Sequence, residues 1–201
     1  MLIKTALNCV AGATLALVVV LVGGSLKLSK DFQQMLTFIT GPAWDSADGA
    51  MEGTIGLQQQ IIALQLLQHN PAEQTKAKTI MDEGVEMAGE ALDRMLKAGL
   101  MSSSAVSELK QRQQSFNASR DAYLATPNAA NFAVFSNEAD ALLKFLEVME
   151  EEGDSKVEKQ FTVIADLNAF SWWFNMLGLA LGVAALIVVL WTLPGWFVQD
   201  V

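Results

Sequence analysis

Residues 135–193 read FSNEADALLKFLEVMEEEGDSKVEKQFTVIADLNAFSWWFNMLGLALGVAALIVVLWTL. Phe135, Ala139, Leu142, Leu146, Met149 and Gly153 alternate by four and three, the seam of a helix that packs against other helices. Phe161 and Ile164 carry the apolar stripe onward, and residues 170–193 then hold no charge at all. That run exceeds the roughly 20 residues needed to cross a hydrocarbon core as a helix. Trp172, Trp173 and Phe174 lie at one end of it and Trp191, Trp196 and Phe197 at the other, as in the aromatic belts at membrane interfaces. One long helix that begins in a soluble bundle and ends in a membrane is the expectation.

The opposite end of the chain mirrors this. Residues 6–26 are also free of charge. Lys4 supplies a short basic n-region for a cleaved signal peptide, but the apolar run is long and VGGSLKLS lacks an A-x-A site, so an uncleaved anchor is expected. Cys9, the single cysteine, lies within this span and excludes internal disulfides. The chain is 52% hydrophobic and 17% charged, which suits a small membrane protein with one folded domain. Apart from Lys4 and Asp200, every charge lies between the two runs, where the balance is −9. An acidic surface argues against nucleic acid or anionic lipid headgroups as partners, since both require a basic face.

Three breaks divide the middle: HNPAE at 69–73, KAGLMSSS at 97–104 and ATPNAAN at 125–131. They predict helices over about 27–69, 72–98, 103–126 and 129–171, with no strands. Trp44, Met51, Ile55, Ile62 and Leu66 make the apolar stripe of the first; Met81, Ala88, Ala91 and Met95 serve the second; Val106, Leu109, Phe116 and Tyr123 serve the third. The expected fold is therefore all-α: a membrane-anchored, antiparallel up-down four-helix bundle whose long first and fourth helices continue into two transmembrane helices. The parts are an N-terminal membrane helix (1–26), an extramembrane bundle (27–171), a second membrane helix (172–193) and a short tail (194–201), where Pro194 and Gly195 read as a helix stop. At about 1.5 Å per residue the outer helices span roughly 60 Å and the inner two about 35–40 Å, so only two helices remain near the membrane. Phe32, Leu36, Ile39, Phe161 and Ile164 are still apolar there, which predicts a homodimer or larger homo-oligomer. Gly178 and Gly182, four apart in an apolar helix, fit the same association.

Candidate chemistry is sparse. His69 is the only histidine and lacks companions, so neither a metal nor a catalytic base is expected. No nucleophile–base pair or phosphate loop is present; a non-enzymatic protein without cofactor follows. Asp45, Asp48 and Glu52 share one helix face, at the height of Glu150, Glu151 and Glu152 on the fourth helix. They read either as a cation or polyamine site or as surface partners of Arg94 and Lys97. Arg112 and Arg120 are the arginines of the third helix; Arg120 lies on its apolar side, placed to grip a ligand carboxylate, to pair with an acidic neighbour or to snorkel. Gly49, Gly53 and Gly56 form a small-residue track that predicts close helix approach.

GPAWDSADGAMEGTIGLQQQIIALQLL (41–67) resembles the first sensor helix of methyl-accepting chemotaxis receptors, and the two-anchor layout resembles the sensor region of the same family. The resemblance implies a bacterial inner-membrane protein, a periplasmic sensor domain with both termini cytoplasmic, dimerisation, and binding of small molecules or periplasmic proteins. The chain shows no HAMP linker, signalling coiled coil or methylation-site helix, and no match to the family's arginine and threonine pattern for amino-acid ligands. Two functions are in view: a chemoreceptor-like sensory or accessory protein acting through oligomers or a membrane or periplasmic partner, and a structural subunit that self-associates or decorates a larger membrane complex. A truncated receptor would need a linker to follow Val201, and the tail does not resemble one.

Overall fold

The computed structural model describes residues 2–197, with side chains over 11–70 and 72–188. Lys4, Cys9, Trp191, Pro194, Trp196 and Phe197 therefore fall outside the described side chains, and the last four residues of the tail outside the described chain. The described residues are almost wholly helical, with no strand among them: α1 (Leu2–Phe38), α2 (Trp44–His69), α3 (Gln74–Ala98), α4 (Ser103–Ala125) and α5 (Ala129–Phe197). A π-helical turn, Ile39–Ala43, joins α1 to α2 without a break, so the five segments make four helices. Two helical stretches, Ala11–His69 and Ala129–Val188, are long and apolar enough to cross a membrane. Their most apolar windows are 0% and 6% buried, unlike the core helix of a soluble protein.

The three breaks fall where proline, glycine and capping residues put them. Asn70 ends α2 and Pro71–Glu73 form a single 3₁₀ turn. Gly99 caps α3 at φ 69°, a left-handed conformation that an L side chain would resist, and donates its N–H to the Leu96 carbonyl. Ser102 caps α4, accepting from the Ala105 N–H at 3.1 Å. Asn128 does the same for α5, accepting from the Asn131 N–H at 2.8 Å.

Pro42 and Pro194 are prolines that break nothing. Pro42 has no N–H to give, and the hydrogen-bond register slips by one residue around it: the Trp44 N–H reaches the Ile39 carbonyl, five residues back. The stop expected at Pro194 and Gly195 is also corrected, since α5 continues to Phe197. A proline removes one backbone bond, whereas unwinding a helix in apolar surroundings would strand several.

The chain divides into two compact units, Thr37–Gln160 and the pair of segments Met1–Leu36 and Phe161–Val201. In the paired segments, glycines let the helices touch. A Cβ on Gly24 would lie 2.6 Å from the Phe174 ring, and one on Gly178 would lie 2.6 Å from the Leu21 side chain.

In the unit Thr37–Gln160 a single buried cluster draws side chains from α2, α3, α4 and α5. The α5 seam lies inside as the spacing implies, with Phe135, Leu142 and Leu146 fully buried. Phe116 of α4 meets Phe135 with ring centroids 5.4 Å apart, and Phe132 meets Tyr123 edge-on at 5.5 Å. Met81, Ala88, Ala91 and Met95 of α3 are buried too.

α2 overturns the expectation for its own face. Trp44, Met51, Ile55 and Ile62 are 59%, 44%, 41% and 52% exposed. The buried residues of α2 are Ser46, Gly49, Ala50, Gly53, Gly56, Leu57, Gln60, Ala63 and Leu64; with Ile39 and Ala43 of the π turn, Ser46, Ala50, Gly53, Leu57, Gln60 and Leu64 keep a four-three alternation. The reason is distance. A Cβ on Gly56 would meet the Ala88 nitrogen at 2.6 Å and the Gly84 carbonyl at 2.8 Å; one on Gly84 would meet the Gly56 carbonyl at 2.6 Å. The α2 and α3 backbones touch, and only glycine fits between them. On the α5 side, Gly153 lies against Ala47 in the same manner. Where the backbones touch there is no room for a side chain, and between those points Leu57 and Leu64 fill the interior.

Gly56→Ala and Gly84→Ala should each destabilise the protein by about 1–3 kcal/mol, because backbone atoms must move to admit the methyl group. Gly89→Ala, with nothing within 4 Å, should instead stabilise α3 by up to about 1 kcal/mol. Thermal unfolding followed by circular dichroism in detergent separates the two signs.

Candidate functional site

At the centre of the α2–α3 contact lies Gln60, a polar residue only 2% exposed. Burying an amide is costly unless its hydrogen bonds are made. Its Nε2 donates to the Gly84 carbonyl of α3 at 3.1 Å and, less closely, to the Gly56 carbonyl at 3.4 Å. Its Oε1 accepts from Nη1 of Arg120 on α4 at 2.9 Å. One side chain thus ties three helices. Two further α2 atoms, Thr54 Oγ1 and Gln59 Oε1, are buried with no hydrogen-bond partner among the described residues.

Arg120 is placed on the inner side of α4, as its position after Phe116 implied, and its side chain is 15% exposed. Besides Gln60, it donates Nε and Nη2 to Asp121 Oδ1 at 3.0 and 2.9 Å. Arg112 donates Nε and Nη2 to Glu108 Oε1 at 2.9 and 2.7 Å, reaches the Ala141 carbonyl at 3.3 Å, and sits 5.7 Å above the Phe145 ring. Both guanidinium groups are therefore engaged within the protein itself.

The acidic face of α2 is also engaged. Arg94 of α3 pairs with Asp48 at 3.1 Å and with Glu52. Burial alone pulls the Arg94 pKa down, but the Glu52 and Asp48 carboxylates outweigh it and raise it above the ordinary arginine value. The stability that follows from this raised value is thus present at neutral pH and is lost as the guanidinium deprotonates in strongly alkaline solution. Lys97, the second expected partner, turns to Asp93 on its own helix at 2.5 Å. Asp45, on the same face, is half-buried. No cluster of three or more histidine, cysteine or acidic side chains with metal-binding geometry occurs among the described residues.

Of the residues expected at an oligomer interface, Phe32, Leu36 and Phe161 are 39%, 39% and 55% exposed, and Ile164 is half-buried. Ile39 is 5% exposed, so its side chain is spent inside its own chain. Gly178 faces Leu21, while Gly182 has open space beside it.

Comparison with protein-family models, with curated proteins and with solved structures found no match to this chain.

Two important features escaped sequence reasoning. Gln60 stands in a run of three glutamines, and only the four-three spacing of Gly53, Leu57, Gln60 and Leu64 singles it out. Gly84 is one of two glycines in α3, with no local sign that another helix crosses there.

Gln60→Leu should cost about 1–3 kcal/mol, since it leaves an Arg120 donor half-buried without its acceptor. Arg120→Leu combined with Gln60→Leu should cost clearly less than the two single changes added together. A double-mutant cycle by chemical denaturation measures that coupling, expected at about 1 kcal/mol or more.

Proposed function

We propose that the chain is a two-pass membrane protein whose middle forms an antiparallel up-down four-helix bundle, and that it works as a non-enzymatic, chemoreceptor-like sensory or accessory protein. The bundle lies in the periplasm, both helices cross the bacterial inner membrane, and the protein acts by associating with other protein surfaces, its own included. Two helices of spanning length support the topology. One buried cluster shared by α2, α3, α4 and α5, joined by short capped turns, supports the bundle.

The observation that carries the functional reading is how the polar and apolar groups are distributed. Arg112, Arg120, Asp48 and Glu52 all hold partners inside the protein, so capture of a charged solute would require breaking existing pairs. Meanwhile Trp44, Met51, Ile55 and Ile62 present large apolar side chains outward. Such exposure marks association surfaces.

A purely structural subunit is the second reading, and the exposure of Phe32, Leu36 and Phe161 favours it. Copy number and partner dependence separate the two. In a Cys9→Ser background, Phe32→Cys and Phe161→Cys should form covalent dimers in native membranes. Strictly monomeric protein under oxidation would remove the self-association part of the proposal. Dimers that form equally in every membrane background would point to the structural subunit.

A further inference from the structure

Trp44, Met51, Ile55 and Ile62 follow one another at intervals of seven, four and seven residues. This is the spacing of a helix-binding seam, yet all four point out of the unit Thr37–Gln160. Between Gly53 and Gln68, α2 carries no charge; its exposed positions beside the seam are glutamines such as Gln58 and Gln65. The half of the seam at Ile55 and Ile62 is thus uncharged, while Trp44 and Met51 stand beside Asp48, which with Glu52 is paired to Arg94.

Its borders are acidic on both sides. Towards α3, Ile55 and Gln59 line a groove of about 490 Å³ with Glu83, Glu86 and Glu90. Towards α5, Trp44 and Met51 line a cleft of about 200 Å³ with Glu150, Asp154 and Val157. Among the described residues, none of these five carboxylates forms an ion pair. Glu86 and Glu90 are four apart on one helix, a like-charge spacing that costs stability until a cation intervenes.

We infer that the outer face of α2 is a docking surface for a cationic amphipathic helix of another protein. The partner's apolar stripe covers Trp44, Met51, Ile55 and Ile62, and its lysines or arginines meet the carboxylates on α3 and α5. Charge decides this occupant over a second copy of the chain. Two copies joined along α2 would bring acidic borders towards one another, whereas a basic helix satisfies both borders at once. The inference rests on the association proposed above and names the chemistry of the partner.

The probe is a fluorescent synthetic helix of leucine and lysine in amphipathic order, with a leucine–glutamate helix as its counterpart. Binding is read by anisotropy on the full chain in zwitterionic nanodiscs, with empty discs subtracted. The cationic helix should bind and weaken steeply with salt, and the anionic helix should not bind. Glu83→Gln, Glu86→Gln and Glu90→Gln together should weaken binding about tenfold, the sum of three exposed ion pairs. Ile55→Ser with Ile62→Ser should weaken it while leaving the salt dependence in place.

Equal binding of both peptides, or unchanged affinity in the triple glutamine variant, would overturn the inference. So would efficient self-crosslinking of Ile62→Cys in the Cys9→Ser chain, which would give the seam to a second copy. That last result would leave the association proposal standing, whereas a monomeric protein that binds neither peptide would remove both.

Discussion

Everything in the unit Thr37–Gln160 follows from two helices that touch backbone to backbone. At Gly56 and Gly84 the separation leaves no space even for a methyl group. Such close approach brings many main-chain atoms into van der Waals contact, and it also buries carbonyl groups that no solvent reaches. Gln60 answers that by donating to the Gly84 carbonyl while its oxygen holds Arg120. The small residues set the distance and the glutamine fixes the register. α4 is then secured through Arg120, and Phe116 of α4 brings in Phe135 of α5.

A contact this tight has a consequence on the opposite side of α2. With glycine and alanine at the points of closest approach, Trp44, Met51, Ile55 and Ile62 lie on the outer side of the helix. In the function proposed above, that side is the surface on which a partner docks.

Sequence reading reached some of this and missed the rest for a common reason. The helix boundaries were legible because Gly99, Ser102 and Asn128 use chemistry that few other residues supply. The α5 seam was legible because Phe135, Leu142 and Leu146 are large, and hydrophobic size is what periodicity detects. On α2 the same rule chose the wrong face, since glycine, alanine, serine and glutamine score poorly while the outward residues score well. The track of Gly49, Gly53 and Gly56 was the signal that pointed the other way. The π turn at Pro42 leaves no pattern at all, because a proline's effect depends on whether its helix can slip register. Among the candidate site residues, the meeting of Arg94 with Asp48 and Glu52 was legible from counting heights along the helices. Arg120's partner was not, since nothing near it in sequence marks Gln60.

The central claim is that α2 turns the face of Gly53, Leu57, Gln60 and Leu64 inward and the face of Trp44, Met51, Ile55 and Ile62 outward. Single cysteines placed at positions 51, 55, 57, 62 and 64 in the Cys9→Ser chain test it, with the rate of thiol labelling measured on the folded protein. The account predicts fast labelling at 51, 55 and 62 and strong protection at 57 and 64, with protection lost in denaturant. Protection at 55 and 62 with free labelling at 57 and 64 would place the opposite face inside and contradict it.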